Sequence, residues 1–283
     1  MRIAVTGATG FIGSHVVAEL ERRGLSAILA SRSAVERSAI HSEQRHVPLD
    51  INDPPDDAYQ ALGQPDVLLH LAWAGLSDYG SLLHFERELP SHYRFLRTML
   101  AAGLSRLVVT GTCLEYGLQS GALHEELEAR PTTPYGYAKD ALRTQLEYLK
   151  QDLPFALTWA RIFYVFGAGQ ASTSLYSQLT AAAERGDPVF NMSGGEQLRD
   201  YLPVSTAARY LVSLATDARD NGIVNVCSGK PVSVYDLVES WIAERGWSIT
   251  LNRGKVPYPD YEPMEFWGDR RKMDRCLGGS AAW

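Results

Sequence analysis

The chain has 283 residues, with 27 Lys and Arg against 33 Asp and Glu and 45% apolar residues, which excludes disordered, collagen-like and coiled-coil descriptions of the whole. A net charge of −6 argues against nucleic acid as the main partner, because a phosphate backbone wants a concentrated basic surface. The three cysteines, Cys113, Cys227 and Cys276, stand too far apart for a metal site, and their odd number points to a reducing compartment. With no basic leader and no apolar run of spanning length, the cytoplasm is expected and the membrane is not a partner.

Apolar, β-rich runs alternate with helical patterns through the first two thirds of the chain. Strands are expected near Arg2–Thr6, Ser26–Ala30, Arg45–Pro48, Asp66–Leu71, Arg106–Thr110 and Phe155–Arg161. Helices are expected at Phe11–Arg23, around Tyr59, from Leu83 to Ala102 and at Tyr135–Gln151. Such alternation implies βαβ units in an α/β fold with a parallel sheet covered on both faces. After Gly167 the pattern changes to helices at Ser174–Arg185, Thr206–Ala215 and Val234–Arg245, a short strand at Val224–Val226, and a Pro- and Tyr-rich stretch at Gly254–Pro263. Residues 1–166 are therefore expected to form the first domain and residues 167–283 a smaller, loop-rich lobe, with segments exchanged between them.

The opening Val5-Thr6-Gly7-Ala8-Thr9-Gly10-Phe11-Ile12-Gly13 closes a strand and opens a helix. Gly7 permits the tight turn, Gly10 lets a pyrophosphate approach the backbone, and Gly13 lets helix and strand pack closely. Together with the free N–H groups of the helix start, this reads as the dinucleotide cradle of a Rossmann-type doubly wound sheet. The second strand ends in Ala30-Ser31-Arg32-Ser33, where an NAD site would place an acid. Arg32, flanked by Ser31 and Ser33, suits a 2′-phosphate, so NADP is expected over NAD; the alternative is a solvated surface arginine. Asp50 is placed to accept from the adenine amino group or, equally, to form a turn.

A second signal is Thr132-Thr133-Pro134-Tyr135-Gly136-Tyr137-Ala138-Lys139. Thr133 and Pro134 mark a helix start. Tyr135 and Lys139, four residues apart, share a helical face, and Tyr137 points elsewhere. An ammonium beside a phenol favours phenolate, so Lys139 is expected to lower the Tyr135 pKa and make it a proton exchanger; the plain alternative is a surface pair. Thr112, at the carboxyl end of the strand Leu107–Thr110, offers a hydroxyl to the same oxygen.

In combination these motifs resemble the extended short-chain dehydrogenases/reductases that act on nucleotide sugars. The resemblance implies Thr112, Tyr135 and Lys139 as the catalytic group. It implies cofactor contacts from Gly7, Thr9, Gly10, Phe11, Ile12 and Gly13, from Ser31, Arg32, Ser33, Asp50 and Ile51, from Leu71, Ala72 and Trp73 after strand four, and from Lys139 and Ile162. It implies substrate contacts from Thr112, Tyr135, Tyr164 and Arg199, the last toward the diphosphate unless it pairs with Asp200 or another acid. Phe190 and Trp267 are further aromatics for the sugar or base, or else core. Glu88 or a neighbour, and Tyr164, stand where the family often has Asn, and no second diphosphate-binding arginine is found near Val256–Tyr261.

Cys113 and Leu114 replace the Asp-Glu pair of the dehydratases in that family, and Cys113 reads as core rather than base. With NADPH favoured, the expected reaction is reduction of the C4 ketone of a nucleotide-linked 4-keto-6-deoxy sugar for deoxysugar and surface polysaccharide synthesis. The alternatives are a 4-epimerase that retains NAD, and a non-catalytic NADP-binding regulator. A homodimer through the helices at Leu83–Ala102 and Tyr135–Gln151 is expected from the resemblance.

Overall fold

The structure, a computed structural model, describes residues 1–32 and 44–278. Its centre is a seven-stranded, wholly parallel sheet built from β1 (Ile3–Thr6), β2 (Ala27–Ser31), β3 (Arg45–Pro48), β4 (Val67–His70), β5 (Arg106–Thr112), β7 (Ala156–Ile162) and β11 (Gly222–Val226). β6 is the short strand Gly121–Leu123, outside this sheet. The order is β11-β7-β5-β4-β1-β2-β3, so the strand sequence reverses beside β1, the place where open α/β sheets bind ligands.

Alternation along each strand decides which layer a residue joins. Ile3, Val5, Leu29, Leu69 and Val108 face α1 (Phe11–Arg22) and a helix at Val204–Thr216, forming one buried cluster. Ala4, Leu68, Leu107, Val109 and Trp159 face the other way, onto α2 (Ala58–Ala61), α3 (Leu89–Ala101) and α4 (Pro134–Leu149). Burial on both faces explains the continuously apolar strands. β11 and the helix at Val204–Thr216 lie beyond residue 166 in sequence yet pack with this sheet.

The second lobe gathers α5 (Leu175–Arg185), the helix Val204–Thr216 as α6, α7 (Val234–Arg245) and α8 (Arg271–Cys276) around short strands. β8 (Tyr164–Phe166), β10 (Leu198–Pro203) and β12 (Pro231–Ser233) form one sheet, and β9 (Val189–Asn191) pairs with β13 (Thr250–Asn252). β14 (Phe266–Gly268) pairs back with β6 in the first lobe. The second core is Leu179, Phe190, Met192, Val238 and Trp241. α5 and α7 each start on a serine, Ser174 or Ser233, that accepts an N–H from the first turn, and each ends on a left-handed glycine, Gly186 or Gly246. No helix among the described residues is long and apolar enough to cross a membrane.

Candidate active site

The glycine loop is packed so closely that side chains cannot enter. Gly7 has φ +73°, and a Cβ there would stand 2.6 Å from the Ala72 nitrogen. A Cβ at Gly13 would lie 2.0 Å from the Gly7 carbonyl oxygen, which draws the start of α1 onto the β1 turn. The result is a cleft of about 300 Å³ at the carboxyl edge of the sheet. It is lined by Gly7, Thr9, Gly10, Phe11, Ile12 and Gly13, by Ser31 and Arg32, by Asp50 and Ile51, and by Leu71, Ala72 and Trp73. A pyrophosphate fits this cradle because backbone N–H groups and the positive end of α1 face it.

Of the other cofactor residues expected from sequence, Ser33 lies outside the described residues. Ile162 is the last residue of β7, paired in register with Thr112 and buried outside the cleft. Lys139 is under its wall, 4.0 Å from the Trp73 ring centre. Asp50 lines the cleft and also closes a turn, its Oδ1 accepting from the backbone and side-chain amides of Asn52 at 2.9 and 3.1 Å.

Thr112, Tyr135 and Lys139 converge beside this cleft. Thr112 ends β5 and caps the turn Cys113–Tyr116: its hydroxyl accepts from the Leu114 N–H at 3.2 Å, and its own N–H donates to Glu115 Oε1 at 2.8 Å. Glu115 is fully buried, receives the Trp159 indole N–H at 3.0 Å and is paired with Arg161 at 2.6 Å. That ion pair anchors the turn from below. α4 begins as expected, with the Thr133 hydroxyl accepting the Gly136 N–H at 3.1 Å ahead of Pro134. Its first turns bury Tyr135 and Lys139 and leave Tyr137 exposed.

The Thr112 side chain hydrogen-bonds the Tyr135 phenol. Lys139 Nζ donates to the Thr110 carbonyl at 2.9 Å and lies 6.0 Å from the Tyr135 ring centre. Tyr135 stacks on Tyr79 at 5.1 Å and meets the edge of Trp73 at 6.3 Å.

The electrostatics correct one expectation. Burial pushes the Tyr135 phenol well above its ordinary value, with Tyr79 and Glu115 adding to the rise and the Thr112 hydrogen bond opposing it. It is Lys139 that falls, to about 7, because burial penalises its ammonium more than Glu115 and Glu88 support it. Desolvation of both groups outweighs their mutual attraction. The chain's own residues therefore hold the phenol protonated, the form that can donate to an alkoxide.

A further buried chain borders the cleft. Thr6 Oγ1 lies 2.8 Å from His70 Nδ1, His70 Nε2 lies 2.7 Å from His92 Nδ1, and His92 Nε2 lies 3.4 Å from Glu88 Oε2. Burial lowers both histidines, and with each neutral the donors run in one direction from the Thr6 hydroxyl to the Glu88 carboxylate. Glu88 also takes the Ala74 N–H at 3.2 Å, and His92 stacks on Trp73 at 4.5 Å, which fixes the loop after β4. The sequence marked Glu88 only as a departure from the family pattern; the histidine chain has no local signal, because its members come from three elements.

Across the catalytic group from the cleft, the second lobe holds a cavity of about 260 Å³ lined by Tyr164, Phe190, Met192, Gln197, Arg199, Tyr201 and Glu262 among others. Tyr164 packs against the cluster containing Cys113, so the cavity reaches the residue after Thr112. Trp267 does not line it. Arg199 does, but its guanidinium is paired with Glu262 at 3.1 Å; Asp200 instead accepts the N–H groups of Ser228, Gly229 and Gly268. Cys113 is buried in an apolar cluster, where desolvation raises its thiol. Among the described residues no group of His, Cys, Asp and Glu could hold a metal ion.

Residues 3–227 match one family model. The chain belongs to the NAD dependent epimerase/dehydratase family. Within it, the chain is 28% identical to a dTDP-6-deoxy-L-talose 4-dehydrogenase (NAD(+)) of Aggregatibacter actinomycetemcomitans, over 95% of this chain and 99% of that one. It is 27% identical to a dTDP-6-deoxy-L-talose 4-dehydrogenase (NAD(P)(+)) of Kitasatospora kifunensis, over 92% and 83%. Among solved structures it resembles MoeE5 in complex with UDP-glucuronic acid and NAD, with TM-score 0.81 and 28% identity over 98% of this chain and 93% of that one. The family reading of the glycine cradle and the α/β fold is thus established.

Proposed function

We propose that the protein is an NAD(P)-dependent oxidoreductase acting at C4 of a nucleotide-linked 6-deoxy sugar, reducing the 4-ketone or oxidising the corresponding alcohol. The observation that carries this reading is the convergence of Thr112, Tyr135 and Lys139 between a dinucleotide cleft and a second-lobe cavity that contains an arginine. The talose 4-dehydrogenase relatives support the C4 position and the 6-deoxy sugar.

The bound nicotinamide supplies the hydride. The chain does the rest: Tyr135, held protonated, gives its proton to the developing alkoxide while Thr112 hydrogen-bonds the phenol oxygen as it becomes anionic. Lys139, clamped on the Thr110 carbonyl and the Trp73 face, sits at the cofactor side of the phenol. Dehydration is disfavoured because Cys113 and Leu114 offer no acid/base pair.

For the cofactor, Arg32 and Ser31 at the adenine end support NADP, while the relatives whose names print NAD(+) and NAD(P)(+) support use of NAD as well. The reading is a site that accepts either, with Arg32 setting the share taken by NADP. A screen of 4-keto-6-deoxy nucleotide sugars with NADPH and NADH, followed by loss of absorbance at the reduced nicotinamide band, tests it. No turnover with any of them refutes the reductase.

MoeE5, described with UDP-sugars and NAD, favours a second reading, a 4-epimerase that keeps its NAD. Cofactor co-purifying with the protein, and turnover with none added, would select that reading.

A further inference from the structure

The second-lobe cavity already contains an anion. Arg199 and Glu262 are the only charged residues lining it. Arg199 Nη1 donates to the carbonyls of Leu198 and Met264 at 2.9 and 3.1 Å, and the guanidinium lies over the Phe266 ring at 4.7 Å. These contacts fix its plane and turn the Nε/Nη2 edge toward Glu262. Both donors of that edge share the single oxygen Oε2, at 3.3 and 3.1 Å, and the other carboxylate oxygen takes the Tyr164 hydroxyl. Guanidinium edges bind carboxylate or phosphate best through two parallel bonds of about 2.7–2.9 Å. The Arg199–Glu262 contact is long and rests on one oxygen, so a diphosphate can offer this edge a better fork than Glu262 does.

Glu262 also lies where the sugar must pass. Its neighbour Tyr261 sets its ring edge-on to Tyr79 at 6.2 Å, and Tyr79 stacks on Tyr135. Its partner Tyr164 packs against the Cys113 cluster, one residue from Thr112. A hexose with its C4 oxygen at Tyr135 and its diphosphate at Arg199 therefore spans the Glu262 carboxylate.

Resting on the nucleotide-sugar reading above, we infer that Glu262 is a specificity-determining residue that makes the site reject sugars carrying a carboxylate and accept uncharged ones. Glu262 imposes two effects. Every diphosphate ligand must take the Arg199 edge from it, a cost common to all sugars. A uronate in addition brings a second carboxylate beside Glu262, in a cavity whose single cation is already engaged, and like charges in such surroundings repel strongly.

The ratio of affinities for UDP-glucose and UDP-glucuronic acid separates these effects. The common cost and any general disturbance of the pocket cancel in the ratio, and the sugar-specific repulsion does not. Both probes, with UDP and dTDP alone, would be titrated by calorimetry into NAD-loaded protein. Wild type is expected to prefer UDP-glucose by about tenfold or more. Glu262→Gln should bring the two within about threefold and tighten UDP, while Glu262→Asp, which keeps the charge, should retain the preference. Equal affinities in wild type, or an unchanged ratio in the Gln variant, would overturn the inference. The wild-type comparison decides even if the Gln variant fails to fold. If neither UDP, dTDP nor either sugar nucleotide binds, the nucleotide-sugar reading falls with it; if UDP binds and the ratio is flat, only the role of Glu262 is lost.

Discussion

At the scale of single residues, burial controls the chemistry more than pairing does. Tyr135→Phe removes the donated proton and should lower turnover by about a thousandfold, with cofactor affinity measured by titration unchanged. Parent-rate reduction by this variant would refute the assignment. Lys139 gives a pH signature. Its amine is held at about 7 in the folded chain against an ordinary 10.5, so between those values the unfolded chain binds more protons. Stability from this group therefore grows as pH rises from about 7 toward 10.5, and below 7 the folded protein bears the full cost of a buried ammonium. Lys139→Met should abolish turnover yet raise Tm, most at pH 6 and least at pH 10, by up to about 5 kcal/mol at the acid end. A Tm gain independent of pH in thermal melts would contradict the assignment.

At the scale of elements, the turn from β1 into α1 shows why glycine is needed. Gly13→Ala would drive a methyl group into the Gly7 carbonyl, so it should cost about 1–3 kcal/mol in denaturant unfolding and weaken cofactor binding together. The same turn was legible from sequence because all its information is local: three glycines at fixed spacing between an apolar strand and an amphipathic helix. The six early strands and the Thr133-Pro134 helix start were legible for the same reason, to within a residue or two at their ends. What escaped was assembled from distant segments. β14 is recognised only by pairing with β6, and Glu262 reaches Arg199 from a Pro- and Tyr-rich connection without periodicity. The direction of the Tyr135 shift also escaped, because spacing reports which groups are neighbours and says nothing about how much water they lose.

At the scale of the whole molecule, α3 and α4 pack together and expose part of their surface. Tyr137 and Tyr148 are 54% and 67% exposed on α4, an outlay of aromatic area that a two-fold contact between copies would cover. With the helix-pair homodimer suggested by the family resemblance, Tyr148→Glu should shift the species seen by light scattering toward 31.3 kDa at micromolar concentration. A wild-type protein already at that mass would remove the dimer.

Trp73 turns the catalytic centre into its own optical reporter. The indole lies between the Lys139 amine and the His92 ring and lines the cleft. Its emission should be quenched when reduced cofactor enters, by energy transfer to the nicotinamide, and that change should be largely lost in Trp73→Phe although the other tryptophans still emit. Stopped-flow recording of this signal would time coenzyme arrival and departure without any label.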